Sequence, residues 1–100
     1  MAFTKYKEQG HLAKSLRKEA GQYVKSLRLA KEMTQRDLSQ RLGLDYYTFI
    51  SQVENGAARV PPEGILQWAK ALDVDGSEFA TKLLSYYDPH MYEAIFGGTS

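Results

Sequence analysis

The residues best suited to do chemistry lie together in "YYTFISQVENG", residues 46–56. Stepped at about 100° per residue along a helix, Tyr47, Thr48, Ser51, Gln52 and Asn55 fall on one arc. All five carry hydrogen-bonding groups. Gln52 can pair bidentately with an adenine edge, Ser51 can donate or accept, and the Thr48 methyl can touch thymine. Tyr47 offers a hydroxyl to a phosphate and a ring face to a sugar or methyl edge. The opposite arc is Tyr46, Phe49, Ile50 and Val53, which has to pack against something. On this geometry Tyr47 faces outward, and Tyr46 faces inward or sits at the rim. A polar arc is also what any solvated helix displays, so the elements that carry it must decide.

Those elements have strong end signals. In "MTQRDLSQRLG", Thr34 can cap a helix and Asp37, three residues on, completes a variant of the capping box. Leu38 and Leu42 supply its buried stripe, and Gly43 can adopt the left-handed conformation that stops it. After Leu44, Asp45 is a new N-cap, which starts a second helix at about Tyr46, and Gly56 ends it. Two short helices joined by a tight glycine turn form a helix-turn-helix.

The flanking chain is helical throughout. Leu12, Leu16, Ala20, Val24 and Leu27 recur at three- and four-residue spacing. They give one amphipathic helix or two, since Gly10 and Gly21 weaken its start and middle. A helix opens near Pro62, with Ile65, Leu66, Trp68, Ala69 and Leu72 inward and Trp68 as a core anchor. "DGSEFATKLLSYY" gives another, with Phe79, Leu83 and Leu84 apolar. "DPHMYEAIF" restarts after Pro89, and "GGTS" is a frayed tail. The expected fold is all-α, five or six short helices. At 100 residues the chain fits one domain with a real core.

Composition narrows the function classes. There is no cysteine, which excludes disulfides and thiolate chemistry. His11 and His90 stand apart with no ligand spacing, so no metal site is expected. Neither a glycine-rich phosphate loop, a serine–histidine arrangement nor a convergent carboxylate pair is present, so catalysis, cofactors and a small-molecule substrate are not expected. No apolar run marks a leader or membrane span, and the cytoplasm is the default compartment. The net charge is only +1, yet residues 1–41 hold ten Lys/Arg against four acids while residues 42–100 hold three against eight. The first part is therefore +6 and the second −5, a lopsidedness that suits a polyanionic partner.

"MTQRDLSQRLGL…FISQVENG" resembles the lambda repressor/Cro-like (XRE) DNA-binding domain. The matching residues are Thr34, Gln35, Leu38, Ser39, Gly43, Leu44, Ile50, Ser51, Val53, Glu54 and Gly56. "LQWAKALDVDGSEF" is similar to the family's next helix, and the resemblance spans about residues 20–84. "YYTFISQVENG…RVPPE…YYDP…YEAIFG" resembles a subgroup of small bacterial XRE regulators. Most members have one residue fewer between the turn glycine and the isoleucine matching Ile50. Either the second helix absorbs the extra residue, keeping Asp45 as its cap, or the turn does, which swings Tyr46 outward beside Tyr47. The cap favours the helix.

The resemblance implies a sequence-specific regulator of transcription, a repressor on an inverted-repeat operator. It implies that Gln35, at the first motif helix's N-terminus, holds a phosphate or braces the reading helix. Glu54 would pair with a basic residue of the first helix, Arg28. The DNA-binding set is then Gln35, Arg36, Tyr46, Tyr47, Thr48, Ser51, Gln52, Asn55 and Arg59, on double-stranded DNA in the major groove. The expected organisation is a basic arm or extra helix over residues 1–19, the DNA-binding domain over 20–84, and an aromatic extension over 85–100 that covers the core or, as favoured here, joins a homodimer. The expected location is the cytoplasm, at the nucleoid. The alternative is a protein-interaction module, such as an antitoxin or a regulator's partner, on the same fold.

Overall fold

A computed structural model describes the backbone of residues 2–97 and the side chains of residues 10–97. The final "GGTS", beyond Gly97, lies outside the described residues. Among the described residues six α-helices follow one another: α1 (Ala2–Ala30), α2 (Gln35–Arg41), α3 (Thr48–Glu54), α4 (Ile65–Ala71), α5 (Gly76–Tyr87) and α6 (Pro89–Phe96). A single 3-10 turn, Pro62–Gly64, precedes α4. No strand occurs among the described residues, and the all-α expectation holds.

The core forms where the apolar stripes of these helices converge. Ala20 and Val24 of α1, Leu38 of α2, Ile50 and Val53 of α3, Leu72 after α4, and Phe79 and Leu83 of α5 are buried. Trp68 is buried as expected, its ring meeting Phe49 edge-on at 6.1 Å between centroids. Leu66 departs from expectation and is 71% exposed. It points about 100° away from Ile65 on the helix, and its side chain lies by Gly76 at the start of α5.

The first helix is unbroken for 29 residues, running through the boundary expected after residue 19. Gly21 does not divide it. A Cβ at that position would stand 2.3 Å from the Glu54 carbonyl oxygen, so the glycine is what lets α1 lie against the end of α3. The cost in helix propensity is accepted in exchange for contact.

That contact is fixed by a buried ion pair. Arg28 Nε donates to Glu54 Oε2 at 2.7 Å and its Nη2 to Oε1 at 2.9 Å, while Nη1 donates to the Met33 carbonyl at 2.7 Å. Both side chains are nearly inaccessible, 7% and 4% exposed. A charged pair out of water is tolerated only when its hydrogen bonds are made, and here no buried side-chain polar atom lacks a partner among the described residues.

Two glycine predictions separate propensity from packing. Gly21→Ala should destabilise the fold by about 1–3 kcal/mol through overpacking, although alanine is the better helix former. Gly10→Ala, which meets nothing within 4 Å, should stabilise by about 1 kcal/mol. Urea unfolding of both variants checks this. In the same assay Glu54→Ala should lose about 3–5 kcal/mol by stranding Arg28, whereas Arg28→Met combined with Glu54→Leu should recover most of that loss.

Candidate nucleic-acid interface

The first motif helix begins as its sequence dictates. Thr34 Oγ1 accepts from the Asp37 N–H at 3.0 Å, and Asp37 Oδ2 accepts from the Thr34 N–H at 2.9 Å. The Thr34 backbone N–H, and secondarily the Thr34 hydroxyl, hold the Asp37 carboxyl below the usual carboxylate range. The helix stops at Gly43, whose φ is +70°.

The second motif helix begins later than its sequence suggests. Asp45 does not cap it; α3 opens at Thr48, with Tyr47 in the cap position and no side-chain cap hydrogen bond. The turn, rather than the helix, takes up the additional residue. The reason lies downstream. Ile50, Val53 and Glu54 are all buried, and the ion pair to Arg28 fixes their register, so slack must collect on the solvent side. Tyr46 therefore swings outward and is 77% exposed, with Tyr47 beside it at 47%. The inward or rim placement expected for Tyr46 is overturned.

From this turn onward one continuous surface is open. Tyr46, Tyr47, Thr48, Gln52 and Asn55 are exposed and Ser51 is half-buried. Behind them Ile50 and Val53 are fully buried, so the polar arc faces outward as a unit. Arg36 on α2 is exposed, its guanidinium carbon 5.9 Å from the centre of the Tyr47 ring. Gln35 is half-buried and turns inward, its Nε2 donating to Glu54 Oε1 at 3.1 Å. Of the two roles expected for it, bracing is the one its side chain performs. Arg28, Leu29, Met33, Thr34, Gln35, Arg36 and Tyr47 border a shallow basin beside the reading helix.

Past α3 the chain turns at Gly56, with φ +84°. Asn55 Oδ1 accepts from the Ala57 N–H at 2.9 Å, which leaves its amide hydrogens outward. Arg59 is engaged. Its Nη2 lies 2.7 Å from Asp88 Oδ2, and its guanidinium carbon sits 4.6 Å from the centre of the Tyr87 ring. The Tyr87 hydroxyl in turn accepts from the Val60 N–H at 3.1 Å, and burial pushes its phenol above the ordinary value. Sequence reasoning missed Tyr87 and Asp88 as partners of Arg59. Nothing in local spacing links residues so far apart in the chain.

The arrangement is an outward polar helix with a rigid apolar back and a second helix end beside it. Such a helix can enter a DNA major groove. No helix among the described residues is long and apolar enough to cross a membrane. Comparison with known proteins agrees with the geometry. A family model described as "Helix-turn-helix domain" matches residues 10–81. The crystal structure of the restriction-modification controller protein C.AhdI from Aeromonas hydrophila superposes with a TM-score of 0.56 and 37% identity. The match covers 65% of this chain and 96% of that one. No curated protein sequence matches the chain. The chain belongs to the helix-turn-helix domain family and is a DNA-binding transcription regulator of the lambda repressor/Cro type.

Proposed function

We propose that the protein is a sequence-specific repressor that acts as a homodimer on an inverted-repeat operator in the nucleoid. The observation that carries this reading is the outward arc from Tyr46 to Asn55, held against a buried back by the Arg28–Glu54 pair. Gln52, Ser51 and Thr48 read base edges, and Tyr46 and Tyr47 lie at the groove wall against methyl or sugar edges. Arg36, Asn55 and Arg59 hold the backbone and fix the register. Arg59, with one nitrogen on Asp88, keeps other N–H donors of its guanidinium for a phosphate. Similarity to a protein described as a restriction-modification controller supports a controlling role at DNA.

A single helix reads only a few base pairs, so affinity requires a second copy. Half-sites about one helical turn apart (~34 Å) are expected. The last helix supports the pairing: none of its residues is buried, and Met91, Ile95 and Phe96 are each more than half exposed. An apolar face of that kind on a small domain is suited to a partner surface. Repression then follows from occupancy of the promoter.

Selection of bound sequences from a random duplex pool should enrich a palindrome. Enrichment of a lone half-site would remove the dimer, and no enrichment by folded protein would remove the reading itself. On the selected operator, Gln52→Ala should relax preference at one position at a cost of about 1–3 kcal/mol. Arg59→Ala should weaken all sequences alike and flatten the salt dependence. Titrations of matched and single-substituted duplexes separate the two patterns.

A further inference from the structure

The reading helix brings no cation to its polyanionic partner. Between Tyr46 and Asn55 the only charged residue is Glu54, and it is buried against Arg28. Phosphate neutralisation nonetheless supplies much of the affinity of any DNA-binding protein, so the positive charge must come from elsewhere in the fold. Many of the other described cations are committed. Arg28 pairs with Glu54, Lys31 with Asp73 and Arg59 with Asp88, while Arg41 donates to the Ala71 carbonyl. Lys82 lies by the Tyr86 ring on α5.

Lys14, Lys18 and Lys25 of α1 are different. All three are exposed, and none has an acidic partner among the described residues. At about 100° per residue they fall within about 40° of one another, and Glu19 is about 100° or more away from each. The helix thus sorts its charges, with the lysines on one flank. That flank is the one against α3. Gly21, next to it in angle, meets the Glu54 carbonyl, and Gly56 rests on Lys18 itself, where an added Cβ would stand 3.0 Å from the Lys18 Cα and Cγ. Asn55, a proposed backbone clamp, directly precedes that glycine. One turn beyond Lys25, Leu29 borders the same basin as Gln35, Arg36 and Tyr47.

From Gly10 to Ser15 every residue of α1 is exposed. A helix of 29 residues reaches about 43 Å, close to the 46 Å long axis of the molecule. The lysine flank therefore begins beside the reading helix and continues along α1 for about three turns, roughly 16 Å.

We infer that Lys14, Lys18 and Lys25 form a second DNA contact, a phosphate track that grips the duplex backbone flanking the half-site read by α3. The inference rests on the DNA-binding reading above and adds to it the source of electrostatic affinity. Because the track touches phosphates alone, it tightens all sequences equally and lengthens the protected DNA.

The test uses the full chain carrying K14Q/K18Q/K25Q; glutamine keeps the Cγ that packs on Gly56. Binding is followed by fluorescence anisotropy across a salt series. The probes are the selected operator with one extra helical turn on each side, the same operator trimmed flush, and a random-sequence duplex of the longer length. The slope of log affinity against log salt should fall by about 0.9 per lysine per bound protomer on both long duplexes. On the trimmed operator the variant and wild type should nearly coincide. K14R/K18R/K25R should keep the wild-type slope, as should K82Q, on the helix at the other side of α1.

An unchanged slope for the glutamine variant, with wild type binding normally, would overturn the track and leave the reading function standing. Lost dimerisation in sedimentation runs, with the DNA slope unchanged, would overturn it in favour of an acidic protein face. Failure of wild type to bind duplex at all would overturn both, and wild-type binding without base preference would overturn only the reading.

Discussion

The geometry of this protein depends on one buried arginine. Arg28 makes three hydrogen bonds, to both Glu54 oxygens and to the Met33 carbonyl, and so ties the end of α1 to the end of α3 and to the turn leading into α2. Gln35 adds a third bond onto the Glu54 carboxylate. A charge pair removed from water is costly unless every bond is made, so few alternative placements of these helices are affordable. The reading helix inherits its angle and register from this knot, and every outward side chain on it is aimed as a consequence.

Two glycines complete that arrangement from the backbone side. Gly21 lets α1 approach the Glu54 carbonyl, and Gly56, at positive φ, lets the following turn settle on Lys18. Both mark places where a helix and a turn come closer than a side chain permits. The outcome is a division of labour across the molecule. The acidic C-terminal half supplies Phe79, Leu83 and the polar groups that occupy Arg59, whereas Lys14, Lys18 and Lys25 of the basic N-terminal half have no acidic partner among the described residues. The lopsided charge along the sequence becomes a lopsided surface because α1 carries Lys14, Lys18 and Lys25 on one flank and Glu19 on another.

Much of the fold was legible in residue order. The Thr34–Asp37 capping box, the stop at Gly43, the end at Gly56 and the burial of Leu38, Ile50, Val53 and Trp68 are local or periodic properties, and each is found where its chemistry puts it. The outward placement of Tyr47, Thr48, Gln52 and Asn55 was legible for the same reason: an arc opposite a buried stripe has nowhere else to face. Arg28 as the partner of Glu54 was legible through family resemblance, although spacing alone would not have paired residues in different helices.

The start of α3 was not legible. Asp45 is a good N-cap by residue type, and a local rule favoured a helix from Tyr46 onward. Burial of Ile50, Val53 and Glu54 against α1 fixed the register from the other end, and the surplus residue went into the turn. Local capping is worth about 1 kcal/mol, which is less than the cost of displacing a packed helix and its buried ion pair. Leu66 and Arg59 teach the same lesson, since an apolar residue was left outside and a basic one was engaged by Asp88 and Tyr87 from another helix. The sequence by itself determined which segments are helical, the cap of α2, the stops at Gly43 and Gly56, and most of each apolar face, because those depend on neighbours a few residues away. Only the tertiary structure decided where the turn takes up its extra residue, which cations remain free, and which tyrosines stand in the open, because those depend on contacts between residues far apart in the chain.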